Sequence, residues 1–391
     1  EAGRLTQKRD VPDHTWFVGK GKAEELRDLC LAVDADTVVF DNELSPGQQY
    51  NLEKLLGRTA IDRTAVILDI FAQNAHTLEG KAQVELALLR YRLPRLRRGA
   101  DAKMSQQRGG VGSRFGSGET KLEVDRRRIK NRISRLEQEL KELGGTRDLQ
   151  RKGRSRSGLA NVVIVGYTNA GKSTLFNRLT RATVLAEDML FATLDPTMRQ
   201  IALPGVEKAI LSDTVGFVSD LPTQLIAAFR ATLEEVISAD IVVHVRDISH
   251  PETDSQRDDV LQILRDLGVI DDADAGNQPR MVELWNKMDL LEGDRLDELT
   301  GISRRDDTVL MISAETGEGV DAFKAHLSAL IAKGNDVRTV KLRADDGAPL
   351  AWLHGRGTVT HQIVDGETVS VDVSLSRQLW GQFEKQFTQL E

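Results

Sequence analysis

The sequence predicts a multidomain α/β protein, on three observations. Apolar, strand-like runs alternate with helical stretches near both ends of the chain, a pattern that builds sheets flanked by helices. Between them, two leucine-rich segments repeat at helical spacing with no strand-like run. Finally, Val162-Val163-Ile164-Val165, then G-Y-T-N-A-G-K-S (166–173), then Thr174-Leu175-Phe176-Asn177-Arg178-Leu179 reads as strand, Gly-rich loop and helix. The expected organisation is an N-terminal parallel α/β domain over 1–75, an antiparallel helical hairpin with a Gly/Arg-rich tip loop and a linker over 76–158, a doubly wound domain over 159–335 and a small α/β domain over 336–391.

Composition narrows the class. A chain that is 40% hydrophobic and 29% charged is ordinary for a globular protein, and no apolar run approaches the length of a membrane span. Nothing at the start resembles a secretion signal. The first residue is Glu1, so the chain is expected to begin inside a longer protein. A single cysteine, Cys30, excludes an internal disulfide and fits a reducing cytoplasm; flanked by leucines, it reads as buried. The charge is strongly segregated. Residues 90–156 hold 21 Lys and Arg against 8 Asp and Glu, a net of +13, while the remainder is −20. Such a block is either a solvated helical face or a footprint for a polyanion; its length and its arginine-bearing glycine loop favour nucleic acid.

In the first domain, Trp16-Phe17-Val18 and Thr37-Val38-Val39-Phe40 read as strands and Lys22 to Val33 as a helix. Ser45 and Pro46 supply an N-cap and a first-turn proline for a second helix running to Leu56. Ala65 to Leu68 begins a strand or a helix. Gly19 to Lys22 lacks phosphate-loop spacing and reads as a turn.

The hairpin rests on two seams. Ala82, Leu86, Leu89, Leu93 and Leu96 form one; Ile129, Ile133, Leu136, Leu140 and Leu143 form the other. Pro94 should kink or end the first helix. The loop between them, R-G-G-V-G-S-R-F-G-S-G (108–118), offers Arg108 and Arg114 for phosphates and Phe115 for base stacking. Arg126, Arg127 and Arg128 extend the basic surface, and Lys152 to Ser157 reads as a linker.

The third domain carries chemistry. The run 166–173 has the G-x-x-x-x-G-K-[ST] spacing of a phosphate loop. Backbone N–H groups of Gly166, Tyr167, Thr168, Asn169, Ala170 and Gly171, with a helix N-terminus at Thr174, would cradle phosphate oxygens. Lys172 would reach the β- and γ-phosphates, and Ser173 would ligate Mg²⁺. Asp213-Thr214-Val215-Gly216 ends a second apolar run: Asp213 would hold Mg²⁺ through water, and the Gly216 N–H would sense the γ-phosphate. Phe191 to Thr197 lies where a switch is expected, with Thr193 as its Mg²⁺-binding threonine. Asn286-Lys287-Met288-Asp289 follows another apolar run and reads guanine, the Asp289 carboxylate accepting from N1 and the exocyclic amine. Ser313-Ala314 would meet guanine O6 through its backbone. Five motifs in this order predict a P-loop GTPase domain using GTP/GDP.

Two departures carry mechanism. Phe217 stands where Ras-like proteins carry a glutamine that orients the attacking water, so intrinsic hydrolysis should be slow. Asn169 either stabilises the loop or, as an asparagine does at this place in related GTPases, helps hold a monovalent cation such as K⁺ near the phosphates. In the last domain, 358–364 and 368–373 flank Asp365-Gly366 as a hairpin, and 375–387 closes as a helix with Leu379, Trp380, Phe383 and Phe387 on one face.

The chain resembles the HflX family of translation-associated GTPases. The resemblance rests on G-Y-T-N-A-G-K-S-T-L-F-N (166–177), L-F-A-T-L-D-P-T (190–197), D-T-V-G-F (213–217) and N-K-M-D (286–289). It extends forward through F-V-G-K-G-K (17–22), L-D-I-F-A-Q (68–73), E-G-K-A-Q-V-E-L-A (79–87) and G-S-G-E-T-K-L-E-V-D-R-R (116–127). It implies a cytoplasmic, monomeric protein that binds the large (50S) ribosomal subunit in its GTP form and splits or rescues stalled 70S ribosomes, notably under stress. It further implies contact with 23S rRNA near the peptidyl-transferase centre, and hydrolysis stimulated by the ribosome. Two alternatives stay open: an RNA-binding module or chaperone acting by GTP-gated occupancy alone, and a GTPase of the tRNA-modification type.

Overall fold

The computed structural model describes residues 1–96, 121–157, 159–180, 197–204, 206–218, 230–270, 278–333 and 335–387. They fall into two compact units, one made by the described residues up to 142 and the other by those from 143 onward.

The first unit holds α1 (Lys20–Ala32), β1 (Thr37–Phe40), α2 (Pro46–Leu56), β2 (Thr59–Asp62), α3 (Arg63–Asn74), α4 (Leu78–Arg92) and the start of α5 (Lys121–Ser157). β1 and β2 pair in parallel over a core of Ala23, Phe40, Leu44, Leu52, Leu56 and Ala60. Ser45 caps α2 through a reciprocal box with Gln48. Trp16-Phe17-Val18 is not a strand. Asp13 Oδ1 accepts from the Thr15 and Trp16 N–H groups, and Phe17 turns to φ 69°, so local side-chain bonding overrides the apolar triplet. Ala65 to Leu68 lies inside α3, and the second strand precedes it.

Pro94 does what its ring requires. α4 stops at Arg92 and Leu93–Arg95 close one 3₁₀ turn. Arg95 then folds back to donate to the Leu44 carbonyl, Gln49 and Asp62. Asp62 is wholly buried and also accepts from the Leu44 and Ala65 N–H groups and the Tyr91 hydroxyl. A buried carboxylate with this many donors is satisfied, which makes it a structural anchor. Between α4 and α5, Arg132 pairs with Glu85, Arg90 with Glu137, and Arg126 donates to the Leu96 carbonyl. The last contact sets the start of α5 beside the end of α4, as a hairpin requires. Of the two seams, Leu86 and Leu136 are buried, whereas Leu143 is 39% exposed. The linker expected over Lys152 to Ser157 is instead helical, continuous with α5.

In the second unit a six-stranded sheet runs β4-β5-β3-β6-β7-β8. Its strands are β3 (Ala160–Gly166), β4 (Thr197–Leu203), β5 (Val206–Asp213), β6 (Ile241–Asp247), β7 (Arg280–Asn286) and β8 (Val309–Met311). All pairs are parallel except β4 against β5, so the doubly wound sheet carries one antiparallel edge. The flanking helices are α6 (Lys172–Thr180), α7 (Arg230–Ile237), α8 (Thr253–Asp266), α9 (Gly293–Ser303) and α10 (Val320–Lys333). Val162, Ile164, Leu211, Val243, Val245 and Leu284 face a core closed by Leu175, Phe176, Phe323 and Leu327.

The chain ends in β9 (Asn335–Arg343), α11 (Gly347–Arg356), β10 (Thr358–Asp365), β11 (Thr368–Ser376) and α12 (Arg377–Phe387). The antiparallel order is β10-β11-β9, with Trp352, Leu379, Trp380 and Phe383 packed on Val371 and Val373. No described helix is long and apolar enough to cross a membrane.

Candidate nucleotide-binding site

The Gly-rich loop spans the gap between β3, which ends at Gly166, and α6, which starts at Lys172. It is bound sideways to the chain after β5. The Phe217 N–H donates to the Gly166 carbonyl at 3.1 Å, and the Thr168 N–H donates to the Phe217 carbonyl at 2.8 Å. Asn169 is exposed and left-handed, at φ 61°. Gly171 sits at φ 89°, and a Cβ there would lie 2.2 Å from Asn286 Nδ2. At Gly216 a Cβ would lie 2.7 Å from Thr168 Cγ2 and 3.0 Å from Lys172 Nζ, so this backbone packs directly on the loop.

Lys172 is 6% exposed and donates to the Tyr167 carbonyl at 2.7 Å. Burial pushes its ammonium down to about 8, and the nearby Asp213 carboxylate opposes that shift. Ser173 Oγ donates to Asp213 Oδ2 at 2.8 Å. Asp213 is fully buried, and Thr174 is half-buried in the first turn of α6.

On the other side, Asn286 braces three segments. Its Nδ2 donates to the Ala170 carbonyl, and its Oδ1 accepts from the Ala314 N–H, both at 2.8 Å. The Ala314 N–H is therefore engaged by Asn286 in this structure. Ser313 is buried and its Oγ accepts from the Thr316 N–H. Asp289 is exposed, on a 3₁₀ turn at Met288–Leu290. Lys287 is left-handed, at φ 65°, and its Nζ pairs with Asp247 Oδ2 at 2.7 Å. Asp247 ends β6 and its other oxygen accepts from the Ser249 N–H and hydroxyl. The sequence reasoning missed Asp247. An acidic residue closing the apolar run 241–247, one strand before the N-K-x-D strand, was the available signal.

The structure thus gathers 166–174, Asp213, Gly216, Asn286 to Asp289, Ser313 and Ala314 at one sheet edge. Phe217 is 1% exposed, its side chain inside the domain. Phe191 and Thr193 lie outside the described residues, as do Arg108, Arg114 and Phe115. Arg126, Arg127 and Arg128 are exposed on α5, in the other unit; Arg128 makes a 3.7 Å ion pair with Asp125.

Three family models match the chain: "GTP-binding GTPase N-terminal" over 1–72, "GTP-binding GTPase Middle Region" over 74–154 and "50S ribosome-binding GTPase" over 161–287. The GTPase HflX of Magnetococcus marinus is 46% identical over 363 residues, covering 93% of this chain and 81% of the relative. That of Escherichia coli is 41% identical over 373 residues, covering 92% and 84%. A solved GTP-binding protein from the hyperthermophilic archaeon Sulfolobus solfataricus, in complex with GDP, is 24% identical with a TM-score of 0.44, over 83% of this chain and 89% of that one. The match to the two relatives runs through both units, and on it the chain belongs to the HflX family of GTPases: it binds guanine nucleotides and hydrolyses GTP.

Proposed function

We propose that this GTPase engages the large ribosomal subunit in its GTP form and splits or rescues stalled 70S ribosomes, with the ribosome completing the hydrolytic site. The observation that carries the reading is Phe217. The residue after D-x-x-G is buried with its backbone bound on both sides, so it presents no group to the attacking water. The +13 segment supplies the second support, an electrostatic match to ribosomal RNA. The contact would lie near the peptidyl-transferase centre, made by a monomer of this chain in the cytoplasm.

The roles follow from position. Lys172 lies close enough to Gly216 for both to face the β- and γ-phosphates. Mg²⁺ fits Ser173 and Asp213, two hard oxygen ligands 2.8 Å apart, with Thr193 a further ligand on the family pattern. Bound there, the ion would neutralise charge developing on the phosphate oxygens. Asp289 reads the guanine N1 and amine, and the 313–314 backbone reads O6 once the Ala314 N–H turns from Asn286 Oδ1 towards the base. Asp247 holds Lys287 in place along the base.

Co-sedimentation tests the partner. Large subunits should retain the protein with a non-hydrolysable GTP analogue and release it with GDP. Equal retention in both states would refute a GTP-gated complex, and retention on tRNA instead would favour the tRNA-modification reading. Stoichiometric splitting with the analogue would show that occupancy does the work and hydrolysis only recycles the protein.

Three expected outcomes belong to this reading. Replacing Arg126, Arg127 and Arg128 by glutamine should weaken subunit binding and lower the slope of log affinity against log salt by roughly 2–3; an unchanged slope would remove this helix from the RNA footprint. GTP affinity should fall as pH rises through about 8, because the free Lys172 loses its proton there while the phosphate-bound form keeps it. Calorimetry at pH 9 in buffers of different ionisation enthalpy should then record proton uptake on binding. Asn169 occupies a left-handed position that asparagine tolerates, so its backbone role stands alone unless K⁺ accelerates hydrolysis over Na⁺. The expected result is faster hydrolysis in K⁺, and equal rates would leave only the backbone role.

A further inference from the structure

α6 carries a second cation at its other end. Arg178 stands six residues after Lys172 and reaches across to the loop that follows β8. Its Nε donates to the Ala314 carbonyl at 2.6 Å, and its Nη2 donates to the Glu315 carbonyl. The loop is shaped around the guanidinium. At Gly317, with φ 95°, a Cβ would fall 2.5 Å from Arg178 Nη1, so a side chain there would collide with it. The loop then closes on itself. The Gly317 N–H donates to the Ser313 carbonyl at 2.8 Å, and the Ser313 N–H donates to the Glu318 carbonyl at 3.0 Å.

We propose that Arg178 is a positioning residue for guanine recognition: it pins the 313–317 loop from the carbonyl side, so that the Glu315 N–H, which shares a peptide unit with the Ala314 carbonyl and points the opposite way, meets guanine O6. The chemistry is simple. Carbonyls and N–H groups alternate along the backbone, so tying the Ala314 and Glu315 carbonyls to a planar fork sets the direction of the neighbouring donors. A lysine would bond one carbonyl without the fork's geometry. Because Lys172 begins the same helix, the phosphate cradle and the O6 reader share one rigid support. Arg178 has no phosphate or base contact of its own in this scheme.

The proposal rests on the guanine reading above, and nucleotide analogues separate the two. 6-Thio-GTP changes only the acceptor at position 6, whereas ITP lacks only the amine that Asp289 reads. The wild-type protein should prefer GTP to 6-thio-GTP by about tenfold, and GTP to ITP by at least as much. In Arg178→Met the first preference should shrink to roughly two- or threefold, and the second should survive. Arg178→Lys should lie between. A parallel loss of both preferences, or a full first preference in Arg178→Met and in Arg178→Lys, would overturn the role of Arg178. No position-6 preference in the wild type would overturn the O6 reading itself, and the proposal with it.

Discussion

Large ribosomal subunits are expected to raise the rate of GTP hydrolysis by this chain by about 10³-fold or more, the range seen when a partner completes a GTPase site. The measurement is phosphate release under excess GTP, with and without subunits. The argument starts from Phe217. Swinging it outward would break its two backbone bonds to Gly166 and Thr168 and expose a phenyl ring. Those losses amount to about 3–5 kcal/mol, too much for a rearrangement made at every turnover without compensation. Even exposed, phenylalanine has no atom that accepts a water proton. On the proposed reading the described residues would supply the charge-stabilising part: a buried lysine, a hydrogen-bonded Ser–Asp pair suited to a metal ion and a backbone N–H at Gly216. A site of that kind binds tightly and turns over slowly until a water-orienting group arrives. A rate unchanged by saturating subunits would defeat the partner-completed mechanism. Phe217→Ala sharpens the test. It should lower Tm, because a fully buried ring is removed at a cost of about 3–5 kcal/mol, yet it should not raise the unstimulated rate.

The motif strands were legible because each is an apolar run ending abruptly in a polar or glycine residue, and the parallel sheet places all those ends on one edge. Other elements were hidden for identifiable reasons. β2 is four residues long and two of them, Thr59 and Asp62, are polar; Asp62 is buried only because Arg95, Tyr91 and two N–H groups meet it there. No local pattern announces such a partner set. β9 escaped because Arg338 occupies an inward register opposite the buried Val373, its guanidinium lying over Trp380 at 4.9 Å. That stacking lets a charged residue stand where alternation demands an apolar one. The seams of the hairpin were read as helix, but Leu93 and Leu96 fall beyond the end of α4, and the seams were overstated as a core, since two ion pairs also join α4 and α5. In the nucleotide site, motif residues could be named one at a time. Their mutual bracing could not, because Asn286, Asp247 and Arg178 act on segments far away in sequence.

That bracing leads to the second large effect. Asn286→Ala is expected to weaken GTP and GDP binding alike by about 10²–10³-fold, because it leaves the Ala170 carbonyl and the Ala314 N–H without their partner, at about 1–3 kcal/mol each. Gly171→Ala should do comparable damage by another route: its Cβ would enter the space held by Asn286 Nδ2, and φ 89° is unfavourable for any L side chain. The two losses share one cause, displacement of the Asn286 amide from the phosphate loop. They should therefore not add. In an Asn286→Ala background, Gly171→Ala meets no amide, and only the backbone strain remains, at about 1–2 kcal/mol or roughly tenfold in affinity. A fluorescent GDP titration of the four proteins measures this, with Tm confirming that each is folded. Full additivity would mean that the phosphate loop and the N-K-x-D motif bind nucleotide independently. The expected shortfall, about ten- to a hundredfold, would instead make Asn286 the link through which the guanine reader sets the shape of the phosphate cradle.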